Sequence, residues 1–393
     1  MNYVARIGLV LLLATCQISA GQDEPPPESA ETGYGFVNDE LLSATSVKNQ
    51  AKTNTCWCFS TNSFLEAELI RMGKAEVDLS EMFVVRNVYP LKADRFVRLH
   101  GNGRFAGGGL FANVMHVFRD YGAVPESVYP GRADDRVAHN HYEMDAVLKG
   151  MLDTLIKRDP PHNPAWKTAF AGVLDAYLGK VPDEFEFEGQ TYTARSFADS
   201  LGIRPDDYFQ FTSYLHHPFY REVVLEVPDN WAGDRYWNVP IDELMRMTRQ
   251  AVESGYSVAW DGDVSEKVCN LRKGIAVWPA KGWSKMTAKE RTQLFEKPGT
   301  EVMVSPEYRQ RRFDEQTSTD DHLMHIVGLS HDRKGSRYFV VKDSYGERNP
   351  FKGVAHMSEA YMRCQTVAIL LHRDAIPPEI AEKIGLVSKT AAK

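Results

Sequence analysis

The stretch NQAKTNTCWCFS, residues 49–60, sets two cysteines one residue apart at the head of a run, WCFSTNSFLEAELIRMG, that ends at Gly73. Asn54 and Thr55 are residue types that cap helix N-termini, and Leu65, Leu69 and Met72 recur at helical spacing before the glycine stops the pattern. The reading predicts a helix with Cys56 in its first turn. There the unpaired N–H groups and the helix dipole favour a thiolate, the nucleophilic form of the side chain. Gln50, six residues upstream, can aim its side-chain amide at the same point as the Cys56 N–H, which makes two donors for an oxyanion.

A thiolate nucleophile needs a base, and the candidate is His322 in DDHLMHIVGLSHDRKGSRYFVVKDSYG, residues 320–346. His322–Leu329 reads as a strand, Asp332–Gly335 as a turn and Tyr338–Val341 as the returning strand of a hairpin. Alternation sets His322, Met324 and Ile326 on one face and Leu323, His325 and Val327 on the other, which argues against a metal shared by the two histidines. Asp343, just past the second strand, can reach back and hold the His322 imidazole through its other nitrogen. Cys58, Cys269 and Cys364 read as small buried hydrophobes, too few and too scattered for a disulfide framework.

The chain of 393 residues, 43% hydrophobic and 25% charged, is long enough for one elaborate domain or two lobes. Its formal charge of −7 offers no broad basic face, which speaks against nucleic acid as a partner. Residues 1–20 have the form of an export signal, with Arg6 before the apolar run Ile7–Ala14 and small residues Ser19 and Ala20 at the end. The expected location is therefore periplasmic or extracellular. LATC, ending at Cys16, is also a candidate lipoprotein box that would anchor the chain through a lipid. Residues 21–36, rich in Pro and Glu, read as a disordered spacer. No apolar run approaches the ~20 residues that span a bilayer.

Phe185 and Phe187 in EFEFEGQTYT alternate across a short hairpin and read as core of an insertion. His139 and His141 lack acidic or cysteine partners at ligand spacing, and no metal or other cofactor is expected. His216 and His217 read as packing or solvated loop. Asp261 and Asp263 in WDGDVSE are candidates for the rim of a cleft or a cation site, with a solvated loop as the simpler reading. A rival metal-hydrolase reading would use Asp320, Asp321 and His322.

With these residues on the page, the chain resembles the papain-like cysteine peptidases, and among them the bleomycin hydrolase or aminopeptidase C branch. NQAKTNTCWCFS is similar to the family's Gln-x5-Cys-Trp-x-Phe-Ser stretch. VDLSEMFVVRNVY resembles the segment after its central helix, and GGGLFANVMHVFRDYGAVPESVYP resembles its Gly-Gly substrate strand and next helix. DHLMHIVGL matches the histidine strand, and VVKDSYG stands where Asn-Ser-Trp-Gly is usual. FTSYLHHPFYREVVLEVPDNW and NVPIDELMRMTRQAVESGYSVAWDGDVSE resemble the branch, and the likeness runs from about Val37 to Glu382.

The resemblance implies an α+β, two-lobed papain-like fold over residues 37–382, with a large mainly helical insertion at about 131–240 and a C-terminal arm at 383–393. It implies Cys56 as nucleophile, Gln50 in the oxyanion hole, His322 and Asp343 as the remaining catalytic pair, and Gly108, Gly109 and Trp57 at the substrate. Peptides are the implied substrates. In the branch the arm's terminal carboxylate, here Lys393, meets the substrate amine, and subunits form a hexamer; this arm is shorter. Thr53 stands in place of a disulfide cysteine, Asp343 in place of asparagine, and Tyr345 in place of the tryptophan that shields the histidine hydrogen bond, which predicts a wetter bond. The alternative reading is an exported scaffold that kept the fold and lost the chemistry.

Overall fold

The computed structural model describes residues 33–132 and 138–386. The export signal at 1–20, Cys16, the spacer up to residue 32 and Lys393 with the arm from residue 387 lie outside the described residues.

Three helices carry the N-terminal lobe: α1 (Cys56–Arg71), α2 (Glu81–Arg98) and α3 (Phe111–Asp120). Gly73, at φ 74°, takes the left-handed conformation that turns the chain after α1. Residues Trp57 to Leu69 are all buried, so α1 is a central helix and not a one-faced one. Its polar groups are therefore matched inside the protein. The Glu66 carboxylate accepts from Thr45 Oγ1 (2.5 Å), Lys48 Nζ (3.0 Å) and the Leu79 N–H (2.9 Å). Lys48 also reaches Glu81 at 2.7 Å, which ties the segment before Cys56 to the start of α2. Ser80 caps α2 by accepting from the Phe83 N–H at 3.0 Å.

The sheet lobe is built from β1 (Val37–Leu41), β2 (Tyr208–Thr212), β3 (Val258–Gly262), β4 (His322–His331), β5 (Arg337–Lys342), β6 (Val354–Ser358) and β7 (Thr366–His372). Their spatial order is β2-β7-β3-β4-β5-β6, each neighbour antiparallel, and β1 pairs with the far half of β4. The expected hairpin is present as β4 and β5. Gly328 sits at a register shift between them, and a Cβ there would lie 2.5 Å from the Glu40 carbonyl of β1, so only glycine admits that third strand.

Two cores flank the sheet. Leu323, Ala259 and Ala368 pack with α1–α3, while Met324, Ile326, Trp260 and Ile369 pack on the opposite side with the helix Ile241–Glu253. This alternation is the one expected for residues 323–326, and His325 faces α1, where Ser63 Oγ meets its Nδ1 at 2.9 Å.

The region expected as an insertion begins with helices Tyr142–Ile156 and Ala165–Leu178 and the hairpin Phe185–Phe187 with Gln190–Tyr192, whose aromatic rings pack on Phe197. From Tyr208 onward it joins the main sheet. β2 is an internal strand there, and Arg221–Val224 and Arg235–Asn238 extend the same edge. Among the described residues no helix is long and apolar enough to cross a membrane.

Candidate active site

Cys56 is the first residue of α1, partly buried at the bottom of a cleft of about 900 Å³ between the lobes. Thr55 occupies the N-cap position but its side chain accepts no helix N–H; its hydroxyl meets Thr53 Oγ1 at 2.6 Å instead. Thr53 in turn donates to the Gln50 carbonyl at 2.9 Å, so hydrogen bonds brace the loop between Gln50 and Cys56 where the family disulfide is lacking. The N–H of a first-turn residue has no intrahelical acceptor and stays available to a ligand.

His322 opens β4 across the cleft. Its Nε2 lies 2.9 Å from Asp343 Oδ1, and the same oxygen accepts from the Ser344 N–H at 2.7 Å. With Nε2 engaged, Nδ1 is the ring nitrogen left for a partner across the cleft that His322 and Cys56 both line. Burial opposes a charge on His322, yet Cys56 and the Asp343 carboxylate prevail and push the imidazole up to about 10. Tyr345 stacks on it with centroids 5.6 Å apart and planes 17° from parallel. The His322 and Asp343 side chains are only 5% and 7% exposed, so the wetter bond expected from the tryptophan-to-tyrosine change does not occur: the phenol ring covers the imidazole in the same way.

Gln50 is held by its neighbours. Its N–H bonds to the Ser344 carbonyl at 2.8 Å and its Oε1 accepts from Ser344 Oγ at 2.6 Å. These contacts fix the amide so that Nε2 points the other way, where it makes a long 3.4 Å bond to Tyr345 Oη and lines the cleft.

The opposite wall is the glycine segment, residues 107–109. Trp57 is fully buried and donates Nε1–H to the Gly107 carbonyl at 2.9 Å, so it braces this segment from behind. Lys92 of α2 also supports it, donating to the Ala106 carbonyl at 2.7 Å and to the Gly108 carbonyl; burial lowers this ammonium to about 8. A Cβ on Gly109 would meet the Trp57 ring at 3.0 Å, and one on Gly108 would meet Asp229 Oδ2 at 2.0 Å. Lys92 and Asp229 were not singled out in the sequence, although Asp229 lies within the stretch FTSYLHHPFYREVVLEVPDNW.

Other expectations are corrected. Asp261 and Asp263 are buried and not in a solvated loop, because Asp261 is on the central strand β3 and Gly262 ends it. Asp263 is satisfied by Ser265 and the Thr319 N–H, whereas Asp261 has no hydrogen-bond partner. Asp320, Asp321 and His322 do not converge on one point: Asp320 accepts from the Asp229 N–H, Asp321 from the Val264 N–H, and His322 meets Asp343. His139 and His141 meet edge to face with centroids 5.8 Å apart, and burial lowers His141 to about 3. His216, His217 and Glu226 come together with their ligand atoms within 4.8 Å of one another, a set three protein atoms wide that sequence spacing did not indicate.

Comparison with known proteins agrees with this architecture. The Peptidase C1-like family matches residues 181–388, the part that carries His322 and Asp343. An aminopeptidase C from Streptococcus thermophilus is 23% identical over 89% of this chain and 85% of its own length. An aminopeptidase W from Lactobacillus delbrueckii subsp. lactis is 22% identical over 87% and 84%. The solved structure of PepW from Lactobacillus rhamnosis HN001 superposes with a TM-score of 0.71 at 19% identity, covering 89% of this chain and 84% of that one, which shows the same fold. Because the matched stretch takes in just over half of the chain and the sheet that holds the histidine–aspartate pair, the chain belongs to the Peptidase C1-like family.

Proposed function

We propose that the protein is a cysteine peptidase that hydrolyses peptide bonds through Cys56 and His322 and acts as an aminopeptidase. The observation that carries this reading is the position of His322, bonded through Nε2 to Asp343 and lining the same cleft as Cys56, the first residue of a helix. The relatives named aminopeptidase C and aminopeptidase W support the exopeptidase class. Asp343 and Tyr345, the changes that motivated the scaffold reading, sit in working positions, so nothing favours that alternative.

The Cys56 sulfur attacks the peptide carbonyl, a C–S bond forms, and the oxygen takes the negative charge between Gln50 Nε2 and the Cys56 N–H. His322 then gives its proton to the amine as the C–N bond breaks, leaving a thioester. Water, losing a proton to His322, displaces the thiolate and releases the acid. Asp343 holds the ring in one tautomer and stabilises its charge throughout.

The test is hydrolysis of two fluorogenic peptides, one with a free N-terminal amine and one acetylated, by the reduced protein and by Cys56→Ala. Cys56-dependent cleavage of the free-amine substrate alone is expected. Cleavage of the acetylated peptide would replace the aminopeptidase by an endopeptidase, and no cleavage of either across several side chains would overturn the peptidase reading.

A further inference from the structure

Asp261 is the one carboxylate around the cleft, among the described residues, whose two oxygens are both buried without a partner. It is 0% exposed. Its Cα pairs across the ladder with Leu323, the residue after His322 and part of the cleft wall. On β3 its neighbours Val258 and Trp260 turn into the far core, while Ala259 packs on the helical side, so the Asp261 side chain leaves the sheet beneath the cleft. The charges that act on it are Asp320, Cys56, Asp229 and Asp321, every one of them a cleft residue.

The surroundings are short of positive charge. Asp229 has Arg104 at 3.1 Å, and its backbone N–H donates to Asp320 Oδ2 at 3.2 Å, which links the two acids. Lys92 stands behind the glycine segment, donates to the Ala106 and Gly108 carbonyls, and acts with Arg104 on Asp229. Burial and then Asp229 push Asp320 up to about 7, and burial and then Asp320 raise Asp261 well above the carboxylate range. A buried carboxyl with no partner is costly, and a folded protein keeps one for a reason such as a catalytic role or a bound water, ion or ligand. A cation supplied by the substrate would be such a ligand.

We propose that Asp261, Asp320 and Asp229 form a cation-binding subsite between Gly108 and Leu323, which takes an ammonium or guanidinium group of the bound peptide. The inference rests on the peptidase reading for its ligand class. The cation is the peptide's own N-terminal amine or a Lys or Arg side chain, and the two sources are separable.

The experiment is equilibrium binding of peptide amides to the full chain carrying Cys56→Ala, by calorimetry. One pair is Leu-Gly-Gly-amide against its N-acetyl form; the other is N-acetyl-Arg-Leu-Gly-amide against the citrulline isostere. At least one charged member is expected to bind tenfold or more tightly than its neutral partner. A preference in the first pair identifies the amine, and one in the second identifies the side chain. In Asp261→Asn, and separately in Asp320→Asn, the preference should fall below threefold, while the melting temperature shows that each variant is folded. Equal binding within both pairs, or a preference that survives both substitutions, overturns the inference. Because this readout needs no turnover, it is independent of the hydrolysis test: absence of cleavage would sink the peptidase reading without deciding the cation site.

Discussion

His322 Nε2 and Asp343 Oδ1 stand 2.9 Å apart under the ring of Tyr345, with both side chains almost fully buried. A carboxylate in that position does more than the amide it replaces, because it adds charge to orientation. It is one of the two groups that hold the imidazole proton up to about 10, against the burial that works the other way.

Asp343→Asn keeps the hydrogen bond and removes the charge, so the alkaline limb of the kcat/KM profile should move to lower pH by about one unit or more. Asp343→Ala should shift the limb the same way and lower kcat by on the order of 10²-fold, because the ring also loses its orientation. The pH–rate profile of the three proteins decides this, and an unmoved alkaline limb would remove Asp343 from the mechanism.

Gln50→Ala removes one of the two oxyanion donors and should lower kcat by roughly 10²–10³-fold with little change in KM. Ser344 Oγ loses its 2.6 Å acceptor, so a small drop in melting temperature should accompany the loss. A near-normal kcat in a folded Gln50→Ala protein would place the oxyanion elsewhere.

The glycine wall predicts a contrast between neighbouring substitutions. Gly109→Ala presses on the fully buried Trp57 ring and should cost about 1–3 kcal/mol of stability. Gly108→Ala meets the end of the Asp229 side chain, which can rotate away, so it should affect KM more than melting temperature. Thermal unfolding alongside steady-state kinetics separates the two, and equal melting temperatures would contradict it.

Lys48→Met leaves Glu66 and Glu81, both buried, without their shared cation, and should destabilise the protein by about 3–5 kcal/mol. Burial, opposed by Lys48, already raises Glu81 to about 7. With Lys48 gone, Glu81 should take up a proton at higher pH still. Denaturant unfolding at pH 5 and 8 is the check: the loss should be larger at pH 8, where Glu81 must either stay charged without its cation or hold a proton against the solution, and a pH-independent loss would mean that the lysine acts by packing alone.

What could be read from the sequence was whatever depends on near neighbours along the chain. The glycine after α1, the alternation from Leu323 to Ile326 and the turn after β4 are short-range patterns that the structure reproduces, and α1 starts at Cys56 as expected although Thr55 makes no side-chain cap. The resemblance carried by Gln50, Cys56, Gly108, Gly109 and His322 suggested the fold, and the family match over residues 181–388 takes in the last of these. Tertiary structure alone decided the chemistry of the cleft wall. Asp229 reaches Gly108 and Asp320 only because strands from residue 208 onward enter the main sheet and carry the 226–229 segment to the cleft. Asp261 was read as cleft rim, cation site or, more simply, solvated loop, yet the register of β3 against β4 turns it inward beside Leu323. Periodicity states which residues share a face of one element; what that face meets is set by pairing between segments some 60 to 200 residues apart, where loop closure and sheet register, not local propensity, select the partner.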